Sequence, residues 1–281
     1  FLPHSRIPLP FTVEEFRLGH RYMLCKSARK ASEEGNDGVE IVEDRPFESA
    51  ELGQGIYRRR VFHLGRRFRL PEWVKRRIST EVLRVDEETW DCYPYIRTIY
   101  TCPLLGNRFQ IRAETYYRDD RGRTSAVHNK TLSLEERRHC KVDVINIGKE
   151  KLEPKYYQHN EDPSLYASEK TKRGPLKANW VVSEQALYTT KPVMCAYKLL
   201  CVRFDYWGLK HKVEALTHQI FRTVYLQSHQ QAFCWLDEWV DMTEEQIKQL
   251  EKETIEELNN KFQQQRHSAS STGVIHQKAN L

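Results

Sequence analysis

The sequence predicts an α+β fold in which one long antiparallel sheet curves around a long helix and C-terminal helices close it. Two observations carry the prediction. Five segments, at residues 56–64, 96–102, 109–117, 141–147 and 193–206, are rich in β-branched and aromatic residues and bounded by turn residues, so they read as strands. The clearest helical periodicity comes after them, at about 209–237 and 244–262, so the strand–helix alternation of a parallel sheet is missing.

In chain order, Thr12 is placed to cap a first helix, with Glu15 three residues on as its reciprocal partner. Gly35-Asn36-Asp37-Gly38 is a strong turn that leads into the strand-like Val39 to Val42. Asp119-Asp120-Arg121-Gly122 reads as the turn after the 109–117 strand. From Pro154 to Pro192 the pattern weakens into a loop region, long enough to expect a function for it. Thr243 and Gln246 repeat the capping spacing before the last helix, and after Phe262 the periodicity ends. We expect one domain over 1–262 and a disordered tail over 263–281.

Composition narrows the class. Of 281 residues 39% are apolar, with 14 Tyr, 11 Phe and 6 Trp, enough for a core. No run approaches the ~18 uncharged apolar residues of a membrane span, and Phe1 to Pro10 is broken by prolines, unlike a signal-peptide core. The chain opens on Phe1 rather than Met, which points to residues before it. Seven scattered cysteines show no metal or Cys-x-x-Cys spacing, which fits a reducing compartment. A net charge of +6 is a weak pull towards anionic surfaces, because acids and bases are mixed along the chain.

The informative features are polar groups on apolar faces. Alternate residues of a strand share a face, so Lys198 falls among Met194, Ala196, Leu200, Val202 and Phe204, and Thr115 among Phe109, Ile111, Ala113 and Tyr117. Arg58 and Arg60 share a face with Ile56, Phe62 and Leu64. On the last helix Glu251 interrupts the stripe of Ile247, Leu250, Leu258 and Phe262. An unpaired carboxylate there costs several kcal/mol, so Glu251 needs a partner, for which Arg60 and Lys198 are the candidates. A structural ion pair is the plainer explanation. The sharper one is that these groups converge on a polar headgroup while apolar neighbours enclose acyl chains. Tyr206-Trp207 stands where the longest strand hands over to a helix, as either an interfacial aromatic pair or a core pair.

Several motifs, in order, carry a resemblance. Trp90-Asp91-Cys92-Tyr93-Pro94-Tyr95-Ile96-Arg97-Thr98, the loop Ser168-Glu169-Lys170-Thr171-Lys172-Arg173-Gly174-Pro175-Leu176, the strand Met194 to Leu199, Tyr206-Trp207-Gly208-Leu209 and Phe233 to Asp241 together resemble the phosphatidylinositol transfer proteins over about Arg6 to Phe262. Tyr100-Thr101-Cys102, Tyr156-Tyr157, Glu161-Asp162-Pro163 and Asp237-Glu238-Trp239 resemble the retinal degeneration B type more than the short single-domain type.

The resemblance implies a START-like helix-grip fold around one phospholipid, exchanged when the protein opens at a membrane. It implies phosphate contacts from Thr98, Thr115 and Lys198, with His20 where the family has Gln. It implies a headgroup set of Arg60, Glu251, Arg58 and Asp91. Arg60 replaces the family's Lys with the charge kept, whereas Arg58 stands in place of Thr and Asp91 in place of Asn. Ionised Asp only accepts hydrogen bonds, and Arg adds a rigid donor fork. A mutual Arg58–Asp91 pair is therefore expected to alter headgroup choice, towards phosphatidic acid or phosphatidylcholine beside phosphatidylinositol. Tyr206 and Trp207 take the membrane-docking place. Ser168 takes that of a regulatory serine, where phosphorylation would add charge beside Lys170, Lys172 and Arg173. The resemblance further implies a monomer, cytoplasmic and transiently membrane-associated, with phospholipid as cargo and no cofactor or metal.

Other classes fit less well. A hydrolase would need an activated nucleophile, and no Gly-x-Ser-x-Gly is present. A nucleic-acid binder would leave Lys198 and Thr115 unexplained. A module that senses lipid without moving it needs the same pocket, and Trp207→Ala separates the two: a carrier loses transfer and keeps its lipid.

Overall fold

The computed structural model describes residues 2–33, 39–63, 84–124, 127–128, 131–181, 192–205 and 208–278. Among these, eight strands form one curved, unclosed sheet: β1 (Leu2–Leu9), β2 (Val39–Ser49), β3 (Gly53–His63), β4 (Arg84–Cys92), β5 (Tyr95–Thr101), β6 (Phe109–Arg118), β7 (Cys140–Val144) and β8 (Met194–Phe204). The helices are α1 (Val13–Glu33), α2 (Leu134–His139), α3 (Lys210–Cys234), α4 (Leu236–Trp239) and α5 (Glu244–Lys278).

The strand order is β2-β3-β4-β5-β6-β8-β1-β7. Every pairing is antiparallel except β1 with β7, so the α+β class read from the sequence holds. From β2 to β6 each strand pairs with the next in sequence, a meander, with short turns joining β2 to β3 and β4 to β5. Strands β1 and β4 were not read from periodicity. Leu2–Leu9 holds Pro3 and Pro8, which lower strand propensity, and Arg84–Cys92 is too acidic to show an apolar face. The 141–147 segment leaves the sheet after Val144, although Ile145 N–H still donates to the Arg6 carbonyl at 2.9 Å.

Both expected capping boxes form. Glu15 N–H donates to Thr12 Oγ1 at 3.0 Å, and Gln246 N–H donates to Thr243 Oγ1 at 3.2 Å. The helix expected over 209–237 divides into α3 and the one-turn α4, with Trp235 out of helical conformation between them. Past Phe262 the backbone stays helical to Lys278, where the lost periodicity led us to expect disorder; Gln263 and Gln264 are themselves good helix formers.

The main core lies where α1, α3 and α4 meet β1 and β8. Phe11 stacks on Phe16 (5.4 Å between ring centroids) and meets Trp239 edge-on (5.3 Å). Gly19 makes this possible, because a Cβ there would lie 2.7 Å from the Trp239 ring. The same packing turns His20, four residues after Phe16, towards the concave side of the sheet. All seven cysteines are free thiols.

Candidate functional site

Between the concave face of the sheet, α1, α3, α5 and residues 155–158 lies a cavity of about 1330 Å³. Small-molecule sites usually occupy ~300–1,000 Å³, so this one has room for a larger ligand.

Strand register decides which side chains meet there. Ile56, Asp91, Ile96, Thr115 and Lys198 are successive cross-strand partners on β3, β4, β5, β6 and β8. Two residues along runs the row Arg58, Thr89, Thr98, Ala113 and Leu200, then Arg60, Glu87, Tyr100, Ile111 and Val202. Strands lie ~4.8 Å apart, so Lys198 and Asp91, separated by two strands, stand ~14 Å apart along the sheet. The cavity therefore has two polar ends.

At the first end Lys198 donates to Thr115 Oγ1 at 3.2 Å, and its Nζ lies 4.9 Å from the Tyr225 ring centroid and 5.7 Å from that of Tyr117. Among the described residues no carboxylate forms an ion pair with it. Burial alone lowers its pKa from 10.5 to about 7. His20 is lowered to about 3, first by burial and then by the charges of Lys198, Arg58 and Arg21. His229 is lowered well below 6.5 by burial and then by Lys198. Buried atoms without a hydrogen bond among the described residues gather here too: His20 Nδ1, His229 Nε2 and Tyr117 Oη. Thr98 shares a hydrogen bond with Thr89 at 3.1 Å between their Oγ1 atoms. All four residues expected around a phosphate (Thr98, Thr115, Lys198 and His20) line the cavity.

The Lys198 shift makes a pH prediction. An unfolded lysine titrates near ~10.4, so between about pH 7 and ~10.4 the unfolded chain binds more protons than the lipid-free folded one. Stability of the lipid-free protein should then rise with pH through that window. A phosphate beside the ammonium restores the pKa, so lipid binding should take up protons near pH 7 and weaken as pH rises. Calorimetry in buffers of different ionisation enthalpy reads that uptake, and a flat proton balance would refute it.

At the second end the ion pairs differ from those expected from sequence. Glu251 is held by Arg21 of α1, with Nε to Oε1 at 3.0 Å and Nη2 to Oε2 at 2.6 Å, rather than by Arg60 or Lys198. Arg58 pairs with Asp44 of β2 at 2.9 Å and reaches Glu251 at 4.0 Å, and does not form the expected pair with Asp91. Asp44 sits opposite Arg58 in the β2–β3 register, and that proximity wins. Arg60 is committed to the buried Glu87. Among the described residues Asp91 Oδ1 has no hydrogen-bond partner, and burial raises the Asp91 pKa despite the Arg58 charge.

Two other expectations fall elsewhere. Tyr206 and Trp207 lie outside the described residues. Ser168 is away from the cavity and buried: its Oγ donates to Asp237 Oδ1 at 2.5 Å and accepts from Thr171 N–H at 2.9 Å. Asp237 also accepts from the N–H groups of Glu169 and Lys170.

The family model described as phosphatidylinositol transfer protein matches residues 3–256. The chain belongs to that family. It is 42% identical over 260 residues to the human membrane-associated phosphatidylinositol transfer protein 2, covering 92% of this chain and 19% of that protein. It is 38% identical over 258 residues to phosphatidylinositol transfer protein 5 of Dictyostelium discoideum, covering 92% of this chain and 85% of the relative. It is 38% identical over 261 residues to the cytoplasmic phosphatidylinositol transfer protein 1 of Xenopus tropicalis, covering 93% and 75%. The chain thus spans about a fifth of the length of the membrane-associated relatives.

Sequence reasoning missed Arg21, Thr89, Glu87, Tyr117, Tyr225 and His229. Glu87, Thr89 and Asp91 alternate along one strand, a polar-face signal that was available. Arg21 gave no local signal, because its partners Glu251 and Glu244 lie far away on α5. Eight Lys and Arg against four Asp and Glu line the cavity, but Lys30, Arg58, Arg60 and Lys155 are paired with Glu161, Asp44, Glu87 and Glu153 outside the lining. That leaves Lys198 as the cation at the wall with no carboxylate in ion-pair contact among the described residues.

Proposed function

We propose that this member of the phosphatidylinositol transfer protein family binds one phospholipid and exchanges it between membranes. The observation that carries this reading is Lys198, a buried ammonium bonded to Thr115 inside a lipid-sized cavity. A desolvated cation without a carboxylate is costly to leave unmatched, and a phosphodiester matches it with charge-assisted hydrogen bonds. Thr98, Thr115, Lys198 and His20 are proposed around the phosphate, and Arg58, Arg60, Asp91 and Glu251 around the headgroup. Apolar and aromatic lining such as Ile96, Phe221 and Tyr225 would take the chains.

The unpaired charge of Lys198 supports a cargo of net negative charge, phosphatidic acid beside phosphatidylinositol, over phosphatidylcholine, whose phosphate carries its own counter-charge. With Arg58 held by Asp44 and Glu251, and Asp91 offering an acceptor, a hydroxyl-rich headgroup finds fewer free partners here than on Thr and Asn. Native mass spectrometry of the purified protein weighs the bound lipid directly. We expect Arg58→Thr with Asp91→Asn to raise the phosphatidylinositol share severalfold; an unaltered chain loaded with phosphatidylinositol alone would sink the broader headgroup set, and one loaded mainly with phosphatidylcholine would sink the anionic preference. Vesicle-to-vesicle transfer tests the carrier itself.

The retinal degeneration B type is proposed on Tyr100-Thr101-Cys102 and the accompanying motifs, as is a START-like helix grip. We place the lipid-binding unit at 1–262 and read the protein as a monomer, cytoplasmic and transiently membrane-bound through Tyr206 and Trp207. It is read as a carrier, with phospholipid as cargo and neither cofactor nor metal. Lys198 and Thr115 resemble an amine–hydroxyl dyad, but the strand N–H groups around them are spent on the ladder rather than aimed at an oxyanion.

Ser168 is proposed as a regulatory site. A phosphate there would meet the Asp237 carboxylate at hydrogen-bond distance and break the loop's anchor. Ser168→Asp should therefore speed proteolysis of the 168–176 loop by about tenfold or more, while cleavage at the parent rate would count against the role.

A further inference from the structure

Several large apolar side chains remain exposed, and some of them mark the rim of the cavity. Val224 of α3 and Tyr156 are 50% and 40% exposed, yet both also line the cavity, with Tyr157 beside them. The segment carrying the tyrosines is tied to α3 through Gln230 Nε2 to the Glu150 carbonyl and Gln231 Nε2 to Glu161, both at 2.8 Å. Ile220, one turn before Val224 on the same helix face, is 44% exposed. Phe221 and Tyr225, between and beyond them, line the cavity. The middle of α3 therefore shows apolar side chains both to the cavity and to water. Its first turn holds Lys210, His211 and Lys212, all exposed, and Lys155 is exposed beside Tyr156 with its Nζ 4.7 Å from that ring.

We infer that this rim, formed by Ile220 and Val224 of α3 with Tyr156 and Lys155, rests on an anionic phospholipid bilayer while the cavity exchanges its cargo. The inference deepens the carrier reading and rests on it. Three features choose a bilayer over a protein partner. The apolar rim is continuous with the cavity, so an acyl chain can pass from bilayer to cavity without crossing water. Tyrosine has the half-apolar, half-wet character of interfacial residues. The basic first turn complements anionic headgroups. The rim thus adds a contact beyond Tyr206 and Trp207, which precede α3 in the chain.

Sedimentation with phosphatidylcholine vesicles, with and without phosphatidylserine, reads the contact, and native mass spectrometry reads the cargo. Ile220 does not line the cavity, so Ile220→Glu should lower vesicle binding and transfer about tenfold or more with the cargo retained. Ile220→Trp should strengthen vesicle binding. Lys210→Glu with Lys212→Glu should remove the preference for phosphatidylserine. If Ile220→Glu disturbs folding, Ile220→Trp decides. Vesicle binding unchanged in both Ile220 variants overturns the rim, whereas an unaltered chain that binds vesicles through Ile220 but transfers no phospholipid overturns the carrier reading alone.

Discussion

Lys198→Met should yield a lipid-free protein that melts at a higher temperature than the unaltered chain and retains almost no phospholipid. Both halves follow from one geometry. The ammonium is buried against Thr115 and two tyrosine rings without a carboxylate in ion-pair contact among the described residues. Its pKa falls to about 7 from burial alone. At pH 6 that strain corresponds to a stability penalty on the order of 3–5 kcal/mol. Methionine fills a similar volume without the charge, so the lipid-free fold gains much of it back. A phosphate then loses its charge-assisted donor, worth ~1.5–3 kcal/mol or more in a water-poor site. Retention should drop by about a hundredfold, read by native mass spectrometry and transfer assay beside differential scanning calorimetry at pH 6. A variant that keeps its lipid would remove Lys198 from the phosphate site. One that melts lower would mean an unseen stabilising partner.

The second large effect is expected at Glu87, which the sequence marks only through the Glu87-Thr89-Asp91 alternation. Glu87 is 1% exposed and bound by Arg60. It also accepts from Thr89 Oγ1 at 3.3 Å and sits beside Tyr100. Glu87→Ala leaves the Arg60 guanidinium facing the cavity without its counter-charge. Breaking a buried pair in this way costs ~3–5 kcal/mol, measurable by urea denaturation of the lipid-free protein. Glu87→Ala with Arg60→Met should recover most of that loss, because the stranded charge is gone. A loss below ~1 kcal/mol in the single variant would falsify the pair as a stabilising element. Where Glu87→Ala folds, a freed Arg60 should tighten binding of a phosphomonoester headgroup, which separates its structural from its ligand-binding role.

These two positions show why one half of the site was legible and the other was not. Lys198 and Thr115 each stand alone among apolar residues on an alternating strand, and the period of two places them on the inner face whatever their neighbours do. Their meeting is a register fact, Thr115 opposite Lys198, consistent with the sequence and not contained in it. Glu251 was likewise legible as misplaced within a helical stripe, but its partner was not. Both Arg60 and Lys198 were within reach on paper. The register gave Arg60 to Glu87, and the packing of α1 against α5 gave Glu251 to Arg21. Ser168 takes the place of a regulatory serine by resemblance, and the fold adds that its hydroxyl is buried and bonded to Asp237.

The sequence by itself determined the α+β class, the two capping boxes, the inward polar residues and, through its motifs, the family. Each is a local property, set by a period of two or 3.6 or by residue identity at short spacing. Tertiary structure alone decided the charge pairing and the two-ended cavity. Those depend on which strands lie side by side and which helix crosses them, and an ion pair falls off too steeply with distance for anything but the final packing to choose between candidate partners.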